Sequence, residues 1–200
     1  MAALPAGVGL SVLAGPILHL LYPAVPETAE AAAYHLTFLG LACVFVCLMV
    51  ATNGVLQAYG HPLLPVISLL CGGVLKIVTN YLMVGDPATG IRGAAVSTLY
   101  CYALIAVINL AAIARLVPER PGYISLFAKP VLLTAVMALA ARSGYGVFCR
   151  LLPESWAVLP AVLLAAVVYV VLALAIGAVT RQDLQTLPKG EKLADRLHLR

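Results

Sequence analysis

The chain has 200 residues, of which 63% are hydrophobic and only 10% are charged, and its formal net charge at pH 7 is +4. A soluble domain carries about 25% charged residues, so this composition excludes an ordinary soluble enzyme or binding domain. One membrane-spanning helix needs about 20 apolar residues. The chain therefore has room for about six spans and none for a separate soluble catalytic domain.

Long apolar runs, separated by glycine, proline or charged residues, divide the chain into helices. The sharpest break is Gly60-His61-Pro62, because glycine ends a helix and proline cannot continue one. The Gly15-Pro16 step should kink the first run. We predict a transmembrane region over 1–180, with spans at about 4–22, 31–59, 63–84, 91–117, 126–141 and 156–179, and then a basic tail over 181–200.

None of these runs alternates with the two-residue period of a barrel strand, and each is longer than such a strand. In lipid, only helices and closed barrels satisfy the backbone hydrogen bonds. The predicted fold class is therefore all-α, a polytopic transmembrane helical bundle.

The basic residues are unequally divided between the two sets of loops. Three lie on one side: Arg92, Arg142 and Arg150. Eight lie on the other: Arg115, Arg120, Lys129, Arg181, Lys189, Lys192, Arg196 and Arg200. Since loops rich in lysine and arginine stay in the cytoplasm, we expect the tail there, and an even number of spans puts the N-terminus there too. We interpret the tail as a topology determinant that contacts lipid headgroups, and we expect no nucleic acid partner.

Four polar residues inside the predicted spans form the candidate site: Lys76, Asn80, Asn53 and Gln57. A lysine near the middle of a span costs about 2.5–3.5 kcal/mol on insertion scales. Asn80 lies one turn after Lys76, and Gln57 lies one turn after Asn53, so each pair shares a helix face. One interpretation is a translocation cavity in which Lys76 attracts an anionic headgroup such as a pyrophosphate. The other is that Lys76 snorkels while the amides hold helices together.

Asn109, in the fourth span, is interpreted as an interhelical hydrogen-bonding residue. Motifs for metal binding or catalysis are missing from the sequence. The five cysteines have no CxxC spacing, there is no HExxH, and no serine stands with both an acid and a histidine. We therefore predict that the protein is not an enzyme and binds neither a metal nor a cofactor.

Several segments carry a resemblance to a known family. They are LQAYGHP over 56–62 with LPV over 64–66, GVLK over 73–76 with Asn80, GIRGAA over 90–95 with Thr98, and DLQTLPKGEK over 183–192. Their order and spacing resemble the SpoVB/MurJ-like polysaccharide biosynthesis proteins, whose junction reads LQAxGxPxxP. These proteins belong to the multidrug/oligosaccharidyl-lipid/polysaccharide flippase superfamily.

The resemblance implies a transporter built of two helical lobes around a central cavity. Members have about fourteen helices, and the six spans here resemble the last six. We therefore expect the C-terminal part of a flippase that moves lipid-linked oligosaccharide or cell-envelope polysaccharide precursors across the cytoplasmic membrane.

Since alternating access needs one bundle to rock against another, we expect the chain to be inactive alone. Its expected partners are membrane lipids, a lipid-linked glycan with an anionic headgroup, and the missing N-terminal lobe or a separately encoded half. Lys76, Asn80, Asn53 and Gln57 lie on or beside the matching segments and would line the cavity. The alternative is a non-transporting integral membrane subunit that packs against a partner.

Overall fold

The computed structural model describes residues 3–86, 89–116, 123–150 and 154–175. Within these ranges the regular structure consists of helices, with no strand. They are α1 (Ala3–Val12), α2 (Ala14–Leu21), α3 (Pro26–Ala58), α4 (Leu63–Val84), α5 (Arg92–Leu116), α6 (Tyr123–Phe148) and α7 (Glu154–Ala175). The predicted all-α, polytopic bundle is confirmed. The basic tail over 181–200 lies outside the described residues.

Four helices are long and apolar enough to cross a membrane: α3, α4, α5 and the part of α6 from Pro130 to Phe148. The helices α1 and α2 meet at an angle of 67° and make a fifth candidate if the bent pair crosses as one span. The apolar part Trp156–Leu172 of α7 is shorter than these four. The described residues thus contain four or five candidate spans, where the sequence predicts about six.

The bend in the first span falls at Leu13, between the end of α1 at Val12 and the start of α2 at Ala14. Proline has no N–H, and its ring clashes with the carbonyl group four residues earlier. For Pro16 that carbonyl belongs to Val12. Pro16 therefore interrupts the helix one turn earlier in the chain. The bend lies closer to the N-terminus than the Gly15-Pro16 step at which the sequence predicts it.

Two helices are longer than the predicted spans. The helix α3 begins at Pro26, where the missing N–H of proline costs no helical hydrogen bond. In the same turn, the negative charge of Glu27 is stabilised by the positive end of the helix dipole. The helix α6 continues through the polar residues after Ala141 to Phe148. There the Ser143 hydroxyl donates to the Leu139 carbonyl at 2.8 Å, so that this polar side chain is satisfied within the helix.

The helix α5 lies between α3 and α4 and packs against both. Gly72 of α4 faces Ile105 and Cys101 of α5 so closely that an added Cβ would overlap the Ile105 side chain. Nearer the other end of α4, a Cβ on Gly93 of α5 would lie 2.5 Å from the Cβ of Met83. Small residues at both contacts let the helix backbones approach closely, as is usual where helices pack in lipid.

A second close contact joins α1 to α3. A Cβ placed on Gly40 would lie 2.7 Å from the carbonyl oxygen of Gly7 and 3.0 Å from the backbone nitrogen of Ser11. The Thr37 hydroxyl also lies 3.4 Å from the Ser11 carbonyl oxygen. The backbones of these two helices thus touch with no side chain between them.

The helices α6 and α7 pack against each other and against the bent pair α1 and α2. The shared core consists of Leu13, Met137, Ala141 and Ala165, all buried. Within the described residues α6 and α7 make no contact with α3, α4 or α5. The bent pair therefore lies between the α3–α5–α4 unit on one side and the α6–α7 hairpin on the other.

The contact between Gly7 and Gly40 predicts a position-specific effect of one methyl group. We expect Gly40→Ala to lower the free energy of unfolding by about 1–3 kcal/mol, because overpacking forces the α1 and α3 backbones apart. Unfolding in detergent micelles by heat or by a denaturing detergent measures this change.

The matched control is Gly54→Ala on the same helix, where an added Cβ meets nothing within 4 Å. This variant should be neutral, or more stable by up to about 1 kcal/mol, because alanine is the better helix former. Equal losses for the two variants would contradict the close α1–α3 contact.

Candidate functional site

Lys76 lies in the middle of α4, on the face that packs against α5. It is the fourteenth of the 22 residues of α4, about 20 Å from the first residue and about 12 Å from the last. Gly72, one turn before it, and Asn80, one turn after it, both contact α5. The Lys76 side chain is partly buried and lies within electrostatic range of Cys101 on α5. Lys76 therefore lies on the side of α4 that packs against α5.

The Lys76 ammonium group has no hydrogen bond or ion pair with any described residue. The acids whose side chains the structure describes are Glu27, Glu30 and Asp86, and all three lie at or beyond the helix ends. A lysine at this depth is expensive to bury in a membrane unless water or an anion reaches it. The fold therefore leaves the positive charge of Lys76 uncompensated within the described part of the chain.

Asn80 is held by α5. The fully buried Ser97 hydroxyl donates to Asn80 Oδ1 at 3.0 Å. Asn80 also borders a surface cleft of about 770 Å³ at the C-terminal end of α4, together with Tyr81 and Asp86. Asn80 thus combines a structural contact with a partly exposed position beside Lys76.

The amides of α3 form a second polar contact with α5. Asn109 Nδ2 donates to Asn53 Oδ1 at 2.7 Å and to Thr52 Oγ1 at 3.1 Å. Asn109 is fully buried, and its Oδ1 has no hydrogen-bond partner. The predicted interhelical role of Asn109 is confirmed. The candidate Gln57, one turn beyond Asn53, is exposed.

The two candidate pairs do not meet. Asn80 binds Ser97 and Asn53 binds Asn109, and these two partners stand about 18 Å apart along α5. The helices α3 and α4 contact each other only slightly, because α5 separates them. Lys76 and Asn80 therefore form one polar level, toward the α4–α5 turn, and Asn53 with Gln57 forms another, toward the α3–α4 turn.

Sequence reasoning did not identify the partners of these residues. Ser97 and Thr52 are short hydroxyl side chains, and in a helix such side chains usually bond to the preceding turn. Thr52 does so here, donating to the Leu48 carbonyl at 2.8 Å, and the single Ser97 proton is shared between Asn80 Oδ1 and the Ala94 carbonyl oxygen, each at 3.0 Å. Their burial, with Ser97 0% and Thr52 5% exposed, is what marks them as interface residues. That information comes from packing and not from residue type.

A third set of contacts ties the start of α5 to α3, at the opposite end from Asn109. The guanidinium carbon of Arg92 lies 5.3 Å from the centre of the Tyr34 ring, a cation–π distance. The neighbouring His35 places Nε2 3.2 Å from the Ile91 carbonyl oxygen and Nδ1 2.8 Å from the Ala31 carbonyl oxygen. Two adjacent residues of α3 thus contact two adjacent residues at the start of α5.

Among the described residues no group of three or more His, Cys, Asp or Glu side chains could hold a metal ion. The side chains that meet at the two polar levels are amides, hydroxyls and one ammonium group. Such groups can bind an anion or a polar headgroup.

Comparison with known proteins gives one distant similarity. The chain is 28% identical over 155 residues to an uncharacterized membrane protein, YabM, of Bacillus subtilis (strain 168). The matched part is 75% of this chain and 29% of that protein, so the chain spans less than a third of its relative. No family model and no solved structure matches the chain. The apolar helices and this similarity together indicate a membrane protein.

The Asn53–Asn109 hydrogen bond predicts a measurable coupling between α3 and α5. In a double-mutant cycle of Asn53→Ala and Asn109→Ala, we expect a coupling energy of about 0.6–1.7 kcal/mol, from the average to the largest value found for interhelical hydrogen bonds in a membrane protein. A cycle that pairs Gln57→Ala with Asn109→Ala should give a value near zero, because Gln57 is exposed. Unfolding in detergent micelles supplies the energies, and equal coupling in the two cycles would refute the contact.

Proposed function

We propose that this chain is the C-terminal part of a flippase for lipid-linked oligosaccharide or cell-envelope polysaccharide precursors, acting by alternating access. The observation that carries the proposal is Lys76, a mid-span cation on a helix interface with no counter-charge among the described residues. A charged residue inside a membrane protein commonly marks a substrate or ion pathway. The substrate class that fits is a lipid carrying an anionic phosphate or pyrophosphate headgroup.

The position of Lys76 fits a role in binding better than a role in anchoring. A snorkelling lysine extends along the lipid-facing side of its helix toward the headgroups. Lys76 instead shares a face with Gly72 and Asn80, both of which contact α5. Asn80, one turn after Lys76, borders the cleft at the end of α4, which Asp86 also lines.

The outer side of α4 is apolar and exposed along most of its length, with Leu70 65%, Ile77 71% and Tyr81 81% exposed, so it can face either lipid or a second bundle. Alternating access requires a second bundle against which this one can move. The relative that the chain matches is more than three times as long as the matched segment. We propose that the second bundle is an N-terminal lobe or a separately encoded half, and that this chain does not transport alone.

The proposed location is the cytoplasmic membrane, with both termini in the cytoplasm. The eight-to-three division of basic residues between the two sets of loops supports this orientation. In this orientation the Arg92 end of α5 faces outward, and the α3–α4 turn at His61 faces the cytoplasm.

Lys76 provides the direct test of substrate class. In nanodiscs, the chain should bind a polyprenyl pyrophosphate more tightly than the corresponding neutral polyprenol, as measured by native mass spectrometry. We expect Lys76→Met to weaken pyrophosphate binding about tenfold, which corresponds to about 1.4 kcal/mol for the loss of one ionic contact. Lys76→Arg should retain most of the affinity, because it keeps the charge.

The matched control is Arg142→Met, which removes a positive charge from an exposed position on α6. It should leave the affinity unchanged. Equal binding of the pyrophosphate and the neutral lipid, or equal losses for Lys76→Met and Arg142→Met, would sink the proposal that Lys76 recognises the headgroup.

The proposed orientation can be checked separately. In a bacterial host, green fluorescent protein fused after Arg200 should fluoresce, and alkaline phosphatase at the same position should be inactive, because both report a cytoplasmic tail. The opposite pair of results would reverse the topology.

A non-transporting membrane subunit is the second candidate. The observation that favours it is that Asn53 and Asn80 are both hydrogen-bonded to α5, as expected of residues that hold helices together. Flipping of a labelled pyrophosphate lipid in proteoliposomes separates the two functions. Transport by the chain together with its complementary lobe supports the flippase. Stable assembly with a partner but no flipping supports the subunit.

A further inference from the structure

One polar atom inside the bundle is buried without a hydrogen-bond partner among the described residues. Asn109 of α5 is 0% exposed, and its Nδ2 donates to Asn53 Oδ1 and to Thr52 Oγ1 on α3. Its Oδ1 accepts no hydrogen bond. Leaving a buried acceptor unpaired destabilises the fold, and an apolar bilayer core offers it no other donor. Asn109 Oδ1 therefore requires a specific partner.

This requirement does not depend on the orientation of the Asn109 amide. If its oxygen and nitrogen exchange places, Nδ2 takes the position of Oδ1 and becomes an unpaired donor there. A partner that can both donate and accept a hydrogen bond satisfies the amide in either orientation.

Ser68 of α4 lies opposite Asn109 across the α4–α5 interface. The contacts that fix the antiparallel register of these two helices are Met83–Gly93, Asn80–Ser97 and Gly72–Ile105. One turn beyond Gly72 on α4 is Ser68, and one turn beyond Ile105 on α5 is Asn109, so the same register brings the two residues to one level. Ser68 is 0% exposed, as Asn109 is. We call this level, with Thr52, Asn53, Ser68 and Asn109, the Asn109 layer.

The hydroxyl groups of the Asn109 layer use their protons within their own helices. Thr52 Oγ1 donates to the Leu48 carbonyl oxygen at 2.8 Å, and Ser68 Oγ donates to the Pro65 carbonyl oxygen at 2.9 Å. A hydroxyl oxygen that donates its proton still has lone pairs that can accept. The Asn109 layer therefore offers an unpaired amide atom on α5 and an accepting oxygen on α4.

Apolar side chains close the Asn109 layer on both sides. One turn toward the α3–α4 turn, Leu64 packs against the buried pair Leu56 and Ile113. One turn in the other direction, Ile105 is 1% exposed and lies against Gly72. A molecule held in this layer is thus separated from bulk solvent.

We infer that the Asn109 layer binds one ordered water molecule between the Asn109 amide and Ser68 Oγ. Water both donates and accepts, so it pairs with the amide in either orientation and gives a proton to the lone pair of Ser68 Oγ. A metal cation fits less well, because its charge would be buried at a level where the described residues include no acid. The neutral ligand is the one that matches these groups.

The water gives α4 a share in the polar contact between α3 and α5. The side-chain hydrogen bonds of Asn109 reach α3 alone, and the hydroxyl of Ser68 bonds within α4. The bridging water joins all three helices at one level. This inference is independent of whether Lys76 binds a lipid headgroup.

A crystal structure of the full chain, grown in a lipidic phase and sharp enough to show ordered water, tests the inference directly. We expect a density peak within about 3.2 Å of both Ser68 Oγ and the Asn109 amide. The absence of such a peak, or a direct hydrogen bond between Ser68 and Asn109, would overturn the inference. An anomalous signal at this position in crystals grown with rubidium would also overturn it, because it would identify a cation.

Stability measurements in detergent micelles supply a second test. Ser68→Ala and Asn109→Leu each remove one end of the water bridge, so losing the second end costs less once the first is gone. We expect the double variant to be more stable than the sum of the single losses predicts, by about fivefold in its unfolding equilibrium constant, the effect of one hydrogen bond. Additive losses would contradict the bridge.

The matched control pairs Asn109→Leu with Thr134→Val on α6. The Thr134 hydroxyl is also buried and also donates to a proline carbonyl, that of Pro130, at 2.7 Å. Since α6 does not contact α5, the losses in this pair should add. The crystallographic test uses the wild type, so it decides the question even if a variant fails to fold.

Discussion

The packing of α5 between α3 and α4 is the contact on which the rest of the described structure depends. In lipid the apolar surface of a helix gains nothing by leaving its surroundings, so helices associate through close backbone approach and polar side chains. The helix α5 offers both. Gly93 and the surface facing Gly72 bring it close to α4, and Asn109 and Ser97 supply hydrogen bonds to the two neighbours.

The polar residues of the bundle differ in whether they have a hydrogen-bond partner on another helix. Asn53, Asn80 and Asn109 are each satisfied at least in part by a partner across a helix interface. Lys76 has no such partner among the described residues, although it lies on the same interface. The amides are thus explained by helix association alone, and the ammonium group needs a further reason. It has no counter-charge among the described residues, and the proposed function rests on this observation.

The sequence predicts the helices well, because lipid allows few alternatives. Length and hydropathy place α3, α4 and α5, and the break at Gly60 is formed as expected, with a φ of +81° that favours glycine. The ends of the helices are less predictable. Ser143 bonds to its own helix, so a polar stretch after Ala141 continues α6 where composition alone indicates a loop.

Which helices meet is the part that the sequence cannot supply. The periodic placement of Lys76 and Asn80, or of Asn53 and Gln57, defines a face but not its partner. Either pair could have faced the other, and the structure instead bonds Asn80 and Asn53 to α5 and leaves Gln57 exposed. The contact between Gly7 and Gly40 is similarly hidden, since 16 glycines in the chain offer many equivalent possibilities. Which helices pack together depends on the complementary shapes of whole helix surfaces, and no single residue predicts it.

The bent pair α1 and α2 has a consequence for the order in which the molecule is assembled. The α6–α7 hairpin docks on Leu13 and its neighbours, and the whole of α3, α4 and α5 lies between them in the chain. During synthesis, the docking surface on α1 and α2 is therefore made long before the hairpin that covers it. All three helices of the α3–α5–α4 unit are made before α6 and α7. Closure of the hairpin is the late step, and an early end to synthesis leaves Leu13 and Ile17 facing lipid.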